Sequence, residues 1–336
     1  MQNLGNTPDI SGLTKDGTAY YKLYTNNDKF YDRISRLKEA LYALATMPVY
    51  NEMTKTGIKK DVKIGIGTFP YVSGNENNQR GYIRIPAAEW GEIGSDQRNK
   101  VINLIKSSNF KGTGGTPTSA AYAEAAAYLL GTTTGGGNYS GINLSKAADS
   151  SLVSGSNYVS PLDKSADAAE CSGQGIYFLT DGQPQSLAST NTTTIMAKAL
   201  KIDNYTLSTG MSGGFYDGAN LGNSWNPVYT KSDWQAIGSF SKSLNDVNVI
   251  KNALGVSEAK RQVLTAVVGF GSVFDGNYAD MNQDAQNAYN WGLLKSSGGS
   301  YGLGGFIAAK DSQQIVDSLN AFIGAIGGSI PSISTG

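Results

Sequence analysis

Gly175-Ile176-Tyr177-Phe178-Leu179-Thr180, closed by Asp181-Gly182-Gln183-Pro184, decides how the rest of the chain is read. A nearly unbroken apolar run that stops at turn residues is the pattern of a central parallel strand buried on both faces. Val263-Leu264-Thr265-Ala266-Val267-Val268-Gly269-Phe270-Gly271 repeats it. Upstream, Val62-Lys63-Ile64-Gly65-Ile66-Gly67-Thr68-Phe69 alternates apolar with small or polar residues. Gly81-Tyr82-Ile83-Arg84-Ile85 has the same period, so the two predict a hairpin across the loop at 74–78.

Helical patterns lie between these strands. Apolar residues at 34, 37, 41 and 44 mark one face of a helix that ends before Pro48. Residues 95–108 predict another, with Val101, Leu104 and Ile105 inward, and 118–130 an alanine-rich one with Pro117 in its first turn. Further helices are expected near 192–202, within 233–262 and at 280–292, with 302–309 extended. The last helix starts at Asp311, which has capping-box spacing to Gln314, and turns Ile315, Leu319, Phe322, Ile323 and Ile326 inward.

Strands that alternate with helices predict an α/β fold, an open, mostly parallel sheet covered on both faces. Of the 336 residues, 1–28 read as an irregular lead-in without a strand, 29–327 as one domain and 328–336 as a tail. Polar stretches at about 131–172 and 203–232 lack a period and are too long for ordinary connections, so they read as insertions.

Composition excludes several functions. Twenty-seven basic and 27 acidic side chains cancel, leaving no field to gather nucleic acid or an anionic membrane. No apolar run is long enough to insert in a bilayer. Histidine is absent, which removes the usual general base and a common metal ligand. Cys171 stands alone: it is a free thiol or pairs with a cysteine outside this sequence. The low charge content, with 42 glycines and 19 tyrosines, suits an extracellular surface.

Two loops could carry chemistry. Gly114-Gly115-Thr116-Pro117-Thr118-Ser119 opens a helix, and Phe178-Leu179-Thr180-Asp181-Gly182 leaves a strand. In an open α/β sheet the binding crevice lies at the carboxyl ends of the strands. A hydroxyl and a carboxylate there are hard oxygen ligands that suit Mg2+ or Ca2+. Either alone is ordinary cap or turn chemistry; their conjunction is what points to a site.

With these residues the chain resembles the von Willebrand factor A domains, over most of residues 30–326. The resemblance implies a Rossmann-like fold and a metal-ion-dependent adhesion site. That site draws on three loops: a D-x-S-x-S after the first strand, a threonine matched by Thr116, and an aspartate matched by Asp181. The long polar insertions, the Gly-Gly-Thr-Pro-Thr loop and Cys171 before the Phe-Leu-Thr-Asp-Gly strand are similar to the type IV pilus-associated adhesins of the PilC/PilY group. That similarity implies a cell-surface, pilus-linked protein that binds a host surface or matrix protein on one side and pilus subunits or minor pilins on the other. The departure is the first loop. No apolar strand precedes residue 34, and the nearest string, Asp9-Ile10-Ser11-Gly12-Leu13, lacks the final serine and is not assigned as ligand. The first strand and its D-x-S-x-S are expected upstream of Met1, and the ion site of this chain is expected to be incomplete.

Other readings are weaker. Gly210-Met211-Ser212-Gly213-Gly214 fits the nucleophile-elbow string, but a triad needs histidine, which leaves only a Ser-Lys hydrolase. Gly112-Thr113-Gly114-Gly115-Thr116-Pro117 lacks the lysine of a phosphate-binding loop. Residues 275–280 lack the glycine of a calcium loop. A structural pilus scaffold without a working ion is the main alternative. Tyr216, Trp225 and Tyr229 mark a possible contact surface in the second insertion.

Overall fold

The computed structural model describes residues 23–25, 28–30, 33–53, 56–69, 80–107, 110, 116–165, 173–180, 184, 189–206, 233–256, 262–270, 272–274, 276–292, 302–309 and 311–328. Within them the chain is a mixed α/β protein. Strands β7 (Gln174–Thr180), β8 (Val263–Phe270) and β9 (Leu303–Ala309) form a parallel sheet in that order. β7 and β8 pair without a register shift from Gln174↔Val263 to Thr180↔Gly269. Strands β3 (Lys63–Thr68) and β4 (Tyr82–Glu89) form the expected antiparallel pair.

Two register shifts disturb that pair. Each extra residue in β4 reverses which face the next side chain takes. Ile83 therefore joins one core and Ile85 the opposite one. The freed backbone groups are satisfied: the Ala87 N–H donates to the Tyr128 hydroxyl at 2.7 Å, and the Gln97 amide donates to the Pro86 carbonyl at 2.8 Å.

Helices cover both faces of both sheets. On one face, α3 (Thr118–Leu130) lies against β3, β4 and β7. Beside it stand α5 (Ser189–Leu200), α6 (Asp233–Leu244), α7 (Val247–Leu254) and α8 (Gln283–Gly292), after the short α4 (Ile142–Ala148). On the other face are α1 (Arg33–Thr46), α2 (Asp96–Lys106) and α9 (Ser312–Gly328). Alternation along β7 shows the two layers. Ile176 and Phe178 enter the α3 core, while Tyr177 and Leu179 face the α9 side, where the Tyr177 hydroxyl donates to the Ile315 carbonyl at 3.1 Å.

Most expected elements are present, with differences that have physical causes. β7 is buried on the α3 face but only partly covered on the other, so its apolar run overstated its burial. The stretch between 233 and 262 holds two helices, because Asp246 breaks it and caps α7 with a bond from the Asn248 N–H at 2.8 Å. Pro117 precedes α3 instead of lying in its first turn. In the lead-in, β1 (Leu23–Thr25) and β2 (Asp28–Phe30) pair over three residues each, too short to produce an alternation signal. The first insertion carries regular structure: after α4 it makes a hairpin, β5 (Val153–Ser154) and β6 (Asn157–Tyr158), and buries Ile142, Leu152 and Tyr158 in the α3 core.

Buried polar side chains supply joints that periodicity does not show. Arg98 is buried on α2 and donates to the carbonyls of Ala45 and Met47 at the carboxyl end of α1 and to that of Gly91. A cation there complements the helix dipole, although burial pulls its pKa down, with Glu92 opposing. The glycines of β7 set the spacing to α9. A Cβ on Gly175 would lie 2.5 Å from the Phe322 ring and 2.6 Å from the Leu264 carbonyl oxygen. Gly175→Ala should therefore destabilise the protein by about 1–3 kcal/mol, read as a lower urea midpoint; an unchanged midpoint would show that α9 is free to shift.

Candidate functional site

Thr116 stands at the entrance to α3, partly buried. Pro117, at φ −74° and ψ 68°, sits at the centre of an inverse γ-turn, in which the Thr118 N–H donates to the Thr116 carbonyl at 2.7 Å. The Thr116 carbonyl is thus committed to the turn, while its hydroxyl has no hydrogen-bond partner among the described residues. That hydroxyl is the one group of the expected site whose surroundings the structure gives.

The amino end of α3 lies at the carboxyl-end side of β7. One turn into the helix, the Tyr122 ring meets Phe178 edge-on at 6.3 Å, two residues before the end of β7. Phe69, just past β3, meets Phe178 at 6.2 Å. Thr116 and the carboxyl end of β7 at Thr180 therefore belong to the same rim. Asp181, the expected carboxylate ligand, lies outside the described residues, as do Cys171, Ser212, Tyr216, Trp225, Tyr229 and Asp9 to Leu13. Among the described residues no three acidic, cysteine or histidine side chains converge to hold a metal ion.

Under this rim is an aromatic hub. Tyr122 packs edge-on against Phe240 at 5.2 Å and Trp291 at 4.9 Å, and Trp291 lies 4.9 Å from Phe178. The Tyr122 hydroxyl and Thr265 Oγ1 of β8 are 2.6 Å apart. Burial pushes the phenol above its ordinary range, and the hydrogen bond with Thr265 opposes it. It stays protonated and acts as a joint between α3 and β8.

Two buried acids escaped the sequence reading. Asp284 accepts a hydrogen bond from Trp234 Nε1 at 2.8 Å, and burial raises its pKa. Glu124 is fully enclosed, with partners from the first insertion. A signal for Glu124 was available: it is the sole charged residue in a helix that is otherwise small or apolar on every side. A groove of about 640 Å³ on the outer side of α5 is lined by Thr133, Thr194, Lys198, Lys201 and Asp203 among others; Thr116 is not among its described lining residues.

No protein-family model, curated protein or solved structure matches the chain. Among the described residues no helix is long and apolar enough to cross a membrane.

Tyr122→Phe removes one partner of a buried pair and leaves Thr265 without it. The cost should be about 1–2 kcal/mol in chemical unfolding, with the fold retained. A neutral result would mean that water replaces the phenol.

Proposed function

We propose that the protein is a non-enzymatic extracellular binding module of the von Willebrand factor A type, serving a type IV pilus-associated adhesin. One partner is a host-surface or matrix protein, the other pilus subunits or minor pilins. The observation that carries this reading is the interruption of the sheet between β3 and β7. Each has one ladder partner among the described residues, β4 and β8 respectively. Yet α3 lies against both β3 and β7 on one face, and Leu319 and Ile323 of α9 reach the core around Ile64 and Ile66 on the other. The two sheets therefore share one layer.

A further strand seated between them, parallel to β7, would end at the rim where Thr116 and the end of β7 at Thr180 lie. The resemblance puts D-x-S-x-S after a first strand, and a strand so seated would bring that string to this rim. The uncommitted Thr116 hydroxyl agrees with a ligand role. With Thr116 and Asp181 alone, Mg2+ or Ca2+ would keep most of its ligands as water, so the present set binds weakly. A structural scaffold without an operating ion is the second reading, favoured by that short ligand set.

Calorimetric titration with Mg2+ should give little heat with this chain. Extending it at the amino end by an apolar strand that closes in D-x-S-x-S should restore one-to-one binding, lost again in Thr116→Ala and Asp181→Ala. Tight binding by the unextended chain would refute the incomplete ligand set. Absence of binding by the folded, extended chain would leave the scaffold reading. Attachment to matrix-coated surfaces should follow the same order.

A further inference from the structure

Glu124 hydrogen-bonds to neutral groups alone. The Tyr158 hydroxyl and Oε1 are 2.5 Å apart; the Thr134 hydroxyl and the Gly141 N–H donate to Oε2 at 2.7 and 2.8 Å. All three partners belong to the first insertion. The network continues outward: the Tyr158 hydroxyl is 2.7 Å from Ser145 Oγ, which accepts the Ile83 N–H of β4 at 2.9 Å and lies 3.1 Å from the Gly141 carbonyl. One carboxyl group thus holds the insertion, and the insertion occupies the outer edge of β4. Contact there is tight, since a Cβ on Gly141 would fall 1.7 Å from the Gly81 carbonyl oxygen.

Arg80, which donates to the Ser140 carbonyl at 3.3 Å, is the nearby cation that acts on Glu124, without hydrogen-bonding to it. Tyr128 meets the Tyr158 ring edge-on at 5.7 Å, and the Thr134 and Ser140 hydroxyls lie 2.5 Å apart.

We propose that residues 131–160 form a pH-operated cover over the β4 edge, closed when Glu124 carries a proton and loosened when it ionises. In the closed state the proton on Oε1 is donated to Tyr158, Tyr158 donates to Ser145, and Ser145 donates to the Gly141 carbonyl. Every hydroxyl then has an acceptor. On ionisation Tyr158 turns its proton back to Glu124, Ser145 loses that donor, and a full charge stands in an apolar core without a bonded cation. Burial raises the acid from 4.5 to about 7, against the hydrogen bonds of Tyr158, Gly141 and Thr134. The folded value lies above the unfolded one, so closure is strongest below pH 4.5 and weakens as pH rises through 7. Opening frees the Ile83 N–H and the β4 edge, a template for an added strand.

Hydrogen–deuterium exchange of the full chain at pH 5.5 and 8.5, corrected for intrinsic rates, tests this. Protection in peptides covering 80–89 and 137–148 should fall by up to roughly 30-fold at the higher pH, while 233–254 changes little. In Glu124→Gln it should stay flat, because the amide oxygen can take Thr134 and Gly141 while its NH2 donates to Tyr158. Equal protection at both pH values in the wild type, or an equal loss across 233–254, overturns the proposal. A carboxyl 13C titration of Glu124 in the wild type gives a second readout that needs no variant. A midpoint near 7 supports the cover, and one near 4.5 overturns it.

Discussion

The burial of α3 on all sides is the constraint from which the rest of the structure follows. Ten of its 13 residues are buried, and neighbours press on it from strands β3, β4, β6 and β7 and from three helices. Its alanines make this possible by leaving little side chain to separate backbones. Gly81 comes so near that a Cβ would lie 2.4 Å from the Ala121 Cα. A helix enclosed in this way cannot place a polar group facing water. Each of its polar atoms needs a fixed partner, and those partners determine where the next elements sit. Tyr122 fixes β8 through Thr265, Tyr128 fixes the β4 bulge through Ala87, and Glu124 fixes the insertion.

This explains which parts of the fold were legible in the sequence. The strands β7 and β8, the β3–β4 pair and the helices α1, α2 and α9 announce themselves because each repeats an apolar pattern long enough to be read. The bond from the Gln314 N–H to Asp311 at 2.8 Å was likewise visible as spacing. Lys38, Gln97, Arg98 and Glu124 were not legible, because polar residues at helical positions look solvated until their neighbours are known. Nor was the order within 131–165, where a seven-residue helix and two-residue strands carry too little period and tertiary bonds define their ends.

The candidate site was legible only in part, for a different reason. Thr116 and Asp181 stand out because a glycine loop before a helix and an aspartate after a buried strand are local patterns. The third loop that the resemblance implies is not local to either, and the sequence registers only that the string D-x-S-x-S does not occur. Among the described residues the layer divides between β3 and β7, on the side of β7 away from β8.

That division also has an energetic consequence. A central strand exposes backbone donors and acceptors on both sides, and β7 is covered by α3 on one face and α9 on the other. Between such layers an unpaired N–H or C=O costs about 1–3 kcal/mol, so an edge of several residues weighs heavily against a stability of about 5–15 kcal/mol. The outer edge of β4 solves the same problem with side chains, since Ser145 takes the Ile83 N–H and α4 fills the space beside it. At the β3 edge the Ile64 carbonyl takes the Gln97 amide, and among the described residues β3 pairs with β4 and β7 with β8. A strand is the element that supplies alternating donors and acceptors at the required spacing. On the proposed reading, an extended apolar run is the kind of segment that would pair with these edges.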